Sequence, residues 1–149
     1  MIYLNLKNVG YMIYKKSWKY ILIKAHCLDQ YFGYRPKALK KFSDVSKDDI
    51  GGYLNKGYHN LSQSGNCWVY DCATVSGDAR VSENAILKEY AYICDNVEIF
   101  GNAIISGSVF IRDEVKISGN VEVSENVKIC KKVQLFGNIK LSGYKIIKK

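Results

Sequence analysis

The chain has 149 residues, 48% of them hydrophobic, and carries a net charge of +8. Its length suits one domain of ordinary size, or one domain with a cap. No apolar run approaches the roughly 18 residues of a membrane span, and the N-terminus lacks the pattern of a secretory signal. Five cysteines without a paired framework favour free thiols in a reducing compartment. We therefore expect a cytoplasmic protein with no membrane partner.

The positive charge is concentrated in the N-terminal part of the chain. Residues 1–66 hold eleven Lys and Arg against four Asp, a surplus of +7, whereas residues 67–149 hold eleven against ten. Such a surplus is compatible with contact with nucleic acid, an acidic protein or another anion, although a solvated lysine surface is the more ordinary interpretation. The candidate binding residues are Lys15, Lys16, Lys19, Lys24, Arg35, Lys37, Lys40 and Lys41.

Residues 1–66 are predicted to form a small basic, aromatic-rich cap, either β-rich or α+β. Short aromatic and aliphatic runs in residues 1–33 favour strands, although Trp18, Ile21, Leu22 and Ala25 also fit a helical face. The Gly51-Gly52 pair predicts a tight turn, and residues 60–66 have the polar composition of a loop.

A six-residue repeat dominates the rest of the chain, residues 67–149. Every sixth position is a branched aliphatic, and a second series of small or β-branched residues follows four places later until Lys145 interrupts it. Two interlocked series of this length indicate a repeat architecture. The first series is Val69, Val75, Val81, Leu87, Ile93, Ile99, Ile105, Ile111, Ile117, Val123, Ile129, Leu135, Leu141 and Ile147.

Each hexad is predicted to be a short strand followed by a sharp corner. Gly, Asp or Glu followed by Asn recurs between the aliphatic positions, as in Gly101-Asn102 and Glu125-Asn126. These residue types tolerate the left-handed backbone of a corner. Because strand side chains alternate, the aliphatic residue points inward and its neighbours point outward. Three hexads close one triangular coil, so this region holds about four coils of an all-β parallel solenoid.

The hexads beginning at Ile99 (Ile-Phe-Gly-Asn-Ala-Ile) and Ile105 (Ile-Ser-Gly-Ser-Val-Phe) resemble the hexapeptide-repeat family. That resemblance implies a left-handed parallel β-helix. The run GGYLNKGYHNLSQSGNCWVYDCATVSGDARV at residues 51–81 also resembles the lead-in of uncharacterised bacterial and phage β-helix proteins. This second resemblance implies a gene carried by a phage or another mobile element.

Many hexapeptide-repeat proteins are acyltransferases that use a histidine as general base. The two histidines here are His26 and His59, and His59 precedes the first regular coil closely enough to reach a neighbouring face. A loop histidine without a catalytic task is the competing interpretation. The zinc-dependent branch of the family needs three histidine ligands, so we predict no metal site. No cofactor is predicted.

Outward positions of the repeat carry large apolar side chains, which mark contact surfaces. Three occupants are open: the N-terminal cap, a second protomer in a dimer or trimer, or a foreign partner. Lysines at Lys145, Lys148 and Lys149 oppose edge-to-edge growth at the final coil. The candidate interface residues are Trp68, Tyr70, Ile86, Tyr92, Phe100, Ile104, Phe110 and Phe136.

These features together favour a non-enzymatic binding protein. In that interpretation, a rigid β-helix and a basic cap engage a host protein or nucleoprotein complex, with a CRISPR-type or other host defence system as the specific target to inhibit. One alternative is a hexapeptide-repeat acyltransferase that uses acetyl-coenzyme A. The other is a purely structural oligomerisation module.

Overall fold

The computed structural model describes residues 18–27 and 30–149, and their side chains except those of residues 26, 27 and 30–32. Strands, turns and one 3-10 turn (Gly57–His59) make up these residues. Lys15, Lys16 and any strand before residue 18 lie outside them. Across the described ranges, no helix has the length and apolar character needed to cross a membrane.

Seventeen strands are present in the described residues, most of them two residues long. They are β1 (Tyr20–Cys27), β2 (Gln30–Ala38), β3 (Tyr53–Leu54), β4 (Trp68–Val69), β5 (Thr74–Val75), β6 (Arg80–Val81), β7 (Ile86–Leu87), β8 (Tyr92–Ile93), β9 (Glu98–Ile99), β10 (Ile104–Ile105), β11 (Phe110–Ile111), β12 (Lys116–Ile117), β13 (Glu122–Val123), β14 (Lys128–Cys130), β15 (Gln134–Leu135), β16 (Lys140–Leu141) and β17 (Ile146–Lys148).

Three sheets form the walls of a parallel β-helix. The first has the order β1-β2-β3-β5-β8-β11-β14-β17, the second β16-β13-β10-β7-β4, and the third β15-β12-β9-β6. In the regular coils each strand pairs in parallel with the strand one coil away, as Ile93 does with Ile111. The prediction of an all-β, left-handed parallel β-helix is confirmed.

The helix has about five turns, one for each strand of the second sheet, rather than the predicted four. The additional turn is irregular and precedes the hexads. Tyr53 pairs in parallel with Thr74, and Leu61 forms a parallel bridge to Val81. Parallel pairing therefore begins ahead of the predicted boundary between residues 66 and 67, and the division into two domains stays a prediction.

The predicted inward positions form the core. Ile93, Ile99, Ile105, Ile111 and Ile117 are completely buried. Each contributes about 1.5–3 kcal/mol through burial of its apolar surface. Residues of the same series in the final coil are only half-buried, because one neighbouring coil covers them instead of two.

A hairpin closes the N-terminal end of the helix. Strands β1 and β2 pair antiparallel, and β2 joins the first sheet through the Tyr34–Leu54 pair. The predicted β-rich cap is thus confirmed over residues 20–38, and Ile21 and Leu22 lie on a strand rather than a helical face. Regular backbone pairing lets the hairpin cover the sheet edge, which would otherwise expose unpaired groups.

The corners use left-handed backbone and approach one another closely. At Gly101 the φ angle is +67°, and a Cβ added there would lie 2.6 Å from the main-chain N of Gly119. Gly137 is in the same column of corners with φ +87°, but a Cβ added there meets nothing within 4 Å. Asn102 and Asn120 beside them donate side-chain hydrogen bonds down the column at 3.1 and 2.8 Å.

We expect Gly101→Ala to lower the free energy of unfolding by about 3 kcal/mol, because it combines backbone strain with a main-chain clash. The matched variant Gly137→Ala adds the strain alone and should cost about 1 kcal/mol. Urea denaturation followed by circular dichroism measures both. Equal losses would contradict the close approach of neighbouring corners.

Candidate functional site

A groove lies on the outer face of the third sheet, where the Gly57–His59 turn approaches β6 and β9. Its volume is about 870 Å³, and it is open to solvent along the sheet. We call it the His59 groove. Its lining residues are Tyr58, His59, Ser62, Asp78, Arg80, Val81, Ser82, Glu83, Asn96, Glu98 and Phe100.

The imidazole of His59 lies between a carboxylate and a guanidinium. Its Nε2 is 3.3 Å from the main-chain O of Asp78 and 3.7 Å from Asp78 Oδ1, and its Nδ1 is 3.4 Å from Arg80 Nη2. A guanidinium only donates hydrogen bonds, so Nδ1 is the acceptor and Nε2 carries the proton. The Nδ1 lone pair therefore faces the groove side occupied by Arg80.

Asp78 keeps a negative charge beside this ring. Lys56 Nζ donates a hydrogen bond of 2.6 Å to Asp78 Oδ1. This hydrogen bond and the charge of Lys56 hold the pKa of the Asp78 carboxyl below its ordinary value, with smaller contributions from His59 and Arg80. The ring of His59 therefore lies beside a charged carboxylate.

Asn60 holds the turn that carries His59. It is completely buried, and its Nδ2 donates to the carbonyls of Gly77 at 3.2 Å and Ala79 at 2.8 Å. Its Oδ1 accepts the main-chain N–H of Lys56 at 2.6 Å. These bonds tie the turn to the corner that contains Asp78. Sequence reasoning missed Asn60, because a buried Asn looks like an ordinary loop residue when only the chain is read.

Comparison with known proteins finds a partial similarity. No protein-family model matches the chain. The uncharacterized acetyltransferase YdcK of Escherichia coli (strain K12) is 34% identical over 67 residues, which cover 40% of this chain and 20% of that protein. The chain is similar to part of an acetyltransferase. It spans about a fifth of that relative's length.

This similarity corrects the functional prediction. The expectations of a non-enzymatic binding protein and of an inhibitor of a host defence system are wrong, because the relative is an acetyltransferase and favours the enzymatic alternative. A rigid β-helix serves both classes, so the repeat could not separate them. The sequence reasoning left open that His59 is a loop histidine without a catalytic task, although acyl transfer needs only one general base. The resemblance of residues 51–81 to a phage lead-in stays a prediction.

The predicted cationic residues have varied environments. The Lys19 ammonium is buried and donates to the Cys67 carbonyl at 2.8 Å, and burial lowers its pKa. Arg35 donates to the Gly51 carbonyl at 2.7 Å, and Lys37 lies 3.3 Å from an Asp48 carboxylate oxygen. Lys24, Lys40 and Lys41 are exposed. Binding of an anion by this set stays a prediction.

The predicted interface residues divide into covered and open groups. Trp68 is 1% exposed, because the rings of Tyr20 and Phe42 pack on it at centroid distances of 6.0 and 5.2 Å. Tyr70 is half-buried and donates its O–H to Asp44. The cap therefore covers this surface at its N-terminal end, around Trp68 and Tyr70. Tyr92 and Phe136 are exposed, whereas Ile86, Phe100, Ile104 and Phe110 are half-buried. Self-association through these six stays a prediction.

Metal ligands do not cluster in residues 18–27 and 30–149: no group of three His, Cys, Asp or Glu is placed to hold an ion.

Cys67 is buried and Cys72 is exposed, and both are free thiols. Cys94 is half-buried on the outer face of the first sheet. Its burial, followed by the charge and hydrogen bond of Asp95, raises the pKa of the thiol to about 11.

We expect the alkylation rate of Cys94 to keep rising with pH until about pH 11, because only the thiolate reacts. Pulse labelling with iodoacetamide and peptide mass spectrometry measures this rate. The same thiol in urea-unfolded chain is the control and should reach its plateau near its ordinary pKa of 9.0. Coincident profiles for folded and unfolded chain would show that the fold does not suppress ionisation.

Proposed function

We propose that this protein is an acyltransferase that moves an acetyl group from acetyl-coenzyme A to a hydroxyl or amine held in the His59 groove. The observation that carries the proposal is the arrangement of His59, with a charged carboxylate behind Nε2 and a lone pair on Nδ1. Similarity to an acetyltransferase supports the same activity.

In this reaction His59 is the general base. Nδ1 accepts the proton of the acceptor group as that group attacks the thioester carbonyl carbon. The carbon–sulfur bond then breaks, and the imidazolium returns the proton to the departing thiolate. The products are the acetylated acceptor and free coenzyme A. Asp78 stabilises the imidazolium between these two proton transfers, in the manner of a catalytic triad.

Arg80 has a second role in this proposal. Its contact with Nδ1 is long, at 3.4 Å, so an acceptor group can replace the guanidinium at the ring. The displaced guanidinium stays beside the reacting carbonyl. A cation there stabilises the negative charge that develops on the carbonyl oxygen. Phe100 supplies apolar surface at the far side of the groove.

The decisive experiment measures release of free coenzyme A with a thiol reagent. The full chain is incubated with acetyl-coenzyme A and, separately, with sets of small amines and of small alcohols and sugars. Mass spectrometry then identifies the acetylated product. Enzyme-dependent thiol release that requires one acceptor set supports the proposal. Absence of release with every acceptor, together with no thermal shift from acetyl-coenzyme A, would exclude acetyl transfer.

A further inference from the structure

Charge is segregated along the axis of the β-helix. Residues 67–126 contain ten Asp and Glu against four Lys and Arg, whereas residues 127–149 contain seven Lys and no acidic residue. The small net charge of residues 67–149 is therefore the sum of an acidic segment, residues 67–126, and a basic segment, residues 127–149. This second basic segment is distinct from the N-terminal one.

Most of these lysines have no carboxylate partner. Lys132 lies 3.4 Å from Glu114 and Lys140 lies 3.1 Å from Glu122, so each forms an ion pair with the preceding coil. Within the described part of the chain, the remaining five form no ion pair within 4 Å. These five are Lys128, Lys131, Lys145, Lys148 and Lys149.

Four of these five lysines lie on the first sheet or in the corners beside it. Lys128 and Lys148 are exposed on β14 and β17, neighbouring strands of the first sheet. Lys131 and Lys145 occupy the corners next to these strands. Arg112 follows β11, the strand that pairs with β14 in the preceding coil. Its guanidinium lies 6.0 Å from the Phe110 ring centroid. Its Nε is 3.9 Å from a carboxylate oxygen of Asp113, an exposed contact worth little in water.

Aromatic and apolar side chains accompany these cations. Phe110 stacks on Tyr92 with a centroid distance of 5.5 Å and an interplanar angle of 25°. In the final coil Ile146, which is in the same column, is 67% exposed, and Tyr144, in the corner before β17, is 90% exposed. We call this region the lower face of the first sheet: Phe110, Arg112, Lys128 and Lys148 lie on or directly after its strands, and Tyr144 and Lys145 lie in the corner that precedes β17.

We propose that the lower face of the first sheet binds single-stranded nucleic acid, with lysines on the phosphates and Phe110 and Tyr144 against the bases. Cations alternating with accessible rings are the combination by which proteins hold single strands without reading sequence. A second copy fits less well, because an isologous contact would oppose lysine to lysine. This site lies on another wall than the His59 groove and does not rest on acetyl transfer.

The test is fluorescence anisotropy of a labelled oligothymidylate of about 20 nucleotides with the full chain at about 100 mM salt. The triple variant Lys128→Gln, Lys145→Gln, Lys148→Gln should bind about 10- to 100-fold more weakly and flatten the logarithmic salt dependence by about 2. Lys88→Gln, Lys132→Gln, Lys140→Gln removes the same charge from other surfaces. This matched triple should stay within about twofold of the parent.

Two further measurements separate nucleic acid from other anions. A phosphate chain of equal length without bases, and the variant Tyr144→Ala with the parent oligonucleotide, should each bind at least about fivefold more weakly than the parent pair. Equal losses of affinity in the two triple variants would show that binding depends only on the overall charge of the chain, which would contradict a defined site. Equal binding of the baseless chain, or equal competition by polyglutamate, would overturn a nucleic-acid site. Failure of the parent chain to bind the oligonucleotide would overturn it outright.

Discussion

His59→Gln is expected to lower kcat/KM for acetyl transfer by about 10²- to 10⁴-fold, the range that a positioned general base contributes. Glutamine keeps a polar side chain in the turn but has no group that can accept and return a proton at neutral pH. Its amide can still donate to the Asp78 carbonyl, as His59 Nε2 does at 3.3 Å. The loss should therefore appear mainly in kcat.

His26→Gln is the matched control, because it removes the other histidine of the chain and should leave kcat/KM within about twofold. Asp78→Asn should lower kcat less than His59→Gln does, since it leaves the base in place but removes the charge that stabilises the imidazolium. Steady-state kinetics with coenzyme A release measures all three. Equal activity of the parent and His59→Gln would assign the proton transfer to another group.

Trp68→Ala should lower the free energy of unfolding by about 3–5 kcal/mol, the usual cost of deleting a buried aromatic side chain. Trp68 is 1% exposed and contacts the rings of Tyr20 and Phe42, so its loss leaves a cavity between the β-helix and the cap. The outer face of the β-helix that the cap covers around Trp68 should also become accessible to solvent. Urea denaturation gives the energy, and protease sensitivity of residues 20–38 reports detachment of the hairpin.

Phe136→Ala is the comparison for this substitution. Phe136 is also an outward aromatic of the repeat, but it is 69% exposed, so its removal should change stability by no more than about 0.5 kcal/mol. Both residues flank an inward aliphatic residue of the hexad pattern, Trp68 before Val69 and Phe136 after Leu135. Similar losses for both variants would mean that the cap does not protect Trp68 in solution.

Regular parts of this protein were predictable because their rule is local. A period of six with aliphatic residues at one position states which side chain points inward, and residues such as Ile99 and Ile111 are buried as expected. The same rule failed for the first coil. Leu61 pairs with Val81 across 20 residues instead of 18, so no hexad pattern announces that coil.

Side chains of the candidate site were predictable only in part. His59 was identifiable because the chain has two histidines and one of them precedes the regular repeat. Its partners were not, since Asp78 and Arg80 lie 19 and 21 residues away and face it only through the irregular coil. Lys19 illustrates the same limit: its position among basic residues suggested a surface cation, yet its ammonium binds the buried Cys67 carbonyl.

The sequence by itself determined the three-walled β-helix, its core and its corners, because a short period acts between neighbouring residues and neighbouring coils. Only the tertiary structure decided where the cap packs, which aromatic residues it covers, and that Asn60 holds the His59 turn against the Asp78 corner. The physical reason is the irregular first coil. Its contacts join segments without a common period, so they depend on packing and buried hydrogen bonds that no local pattern encodes.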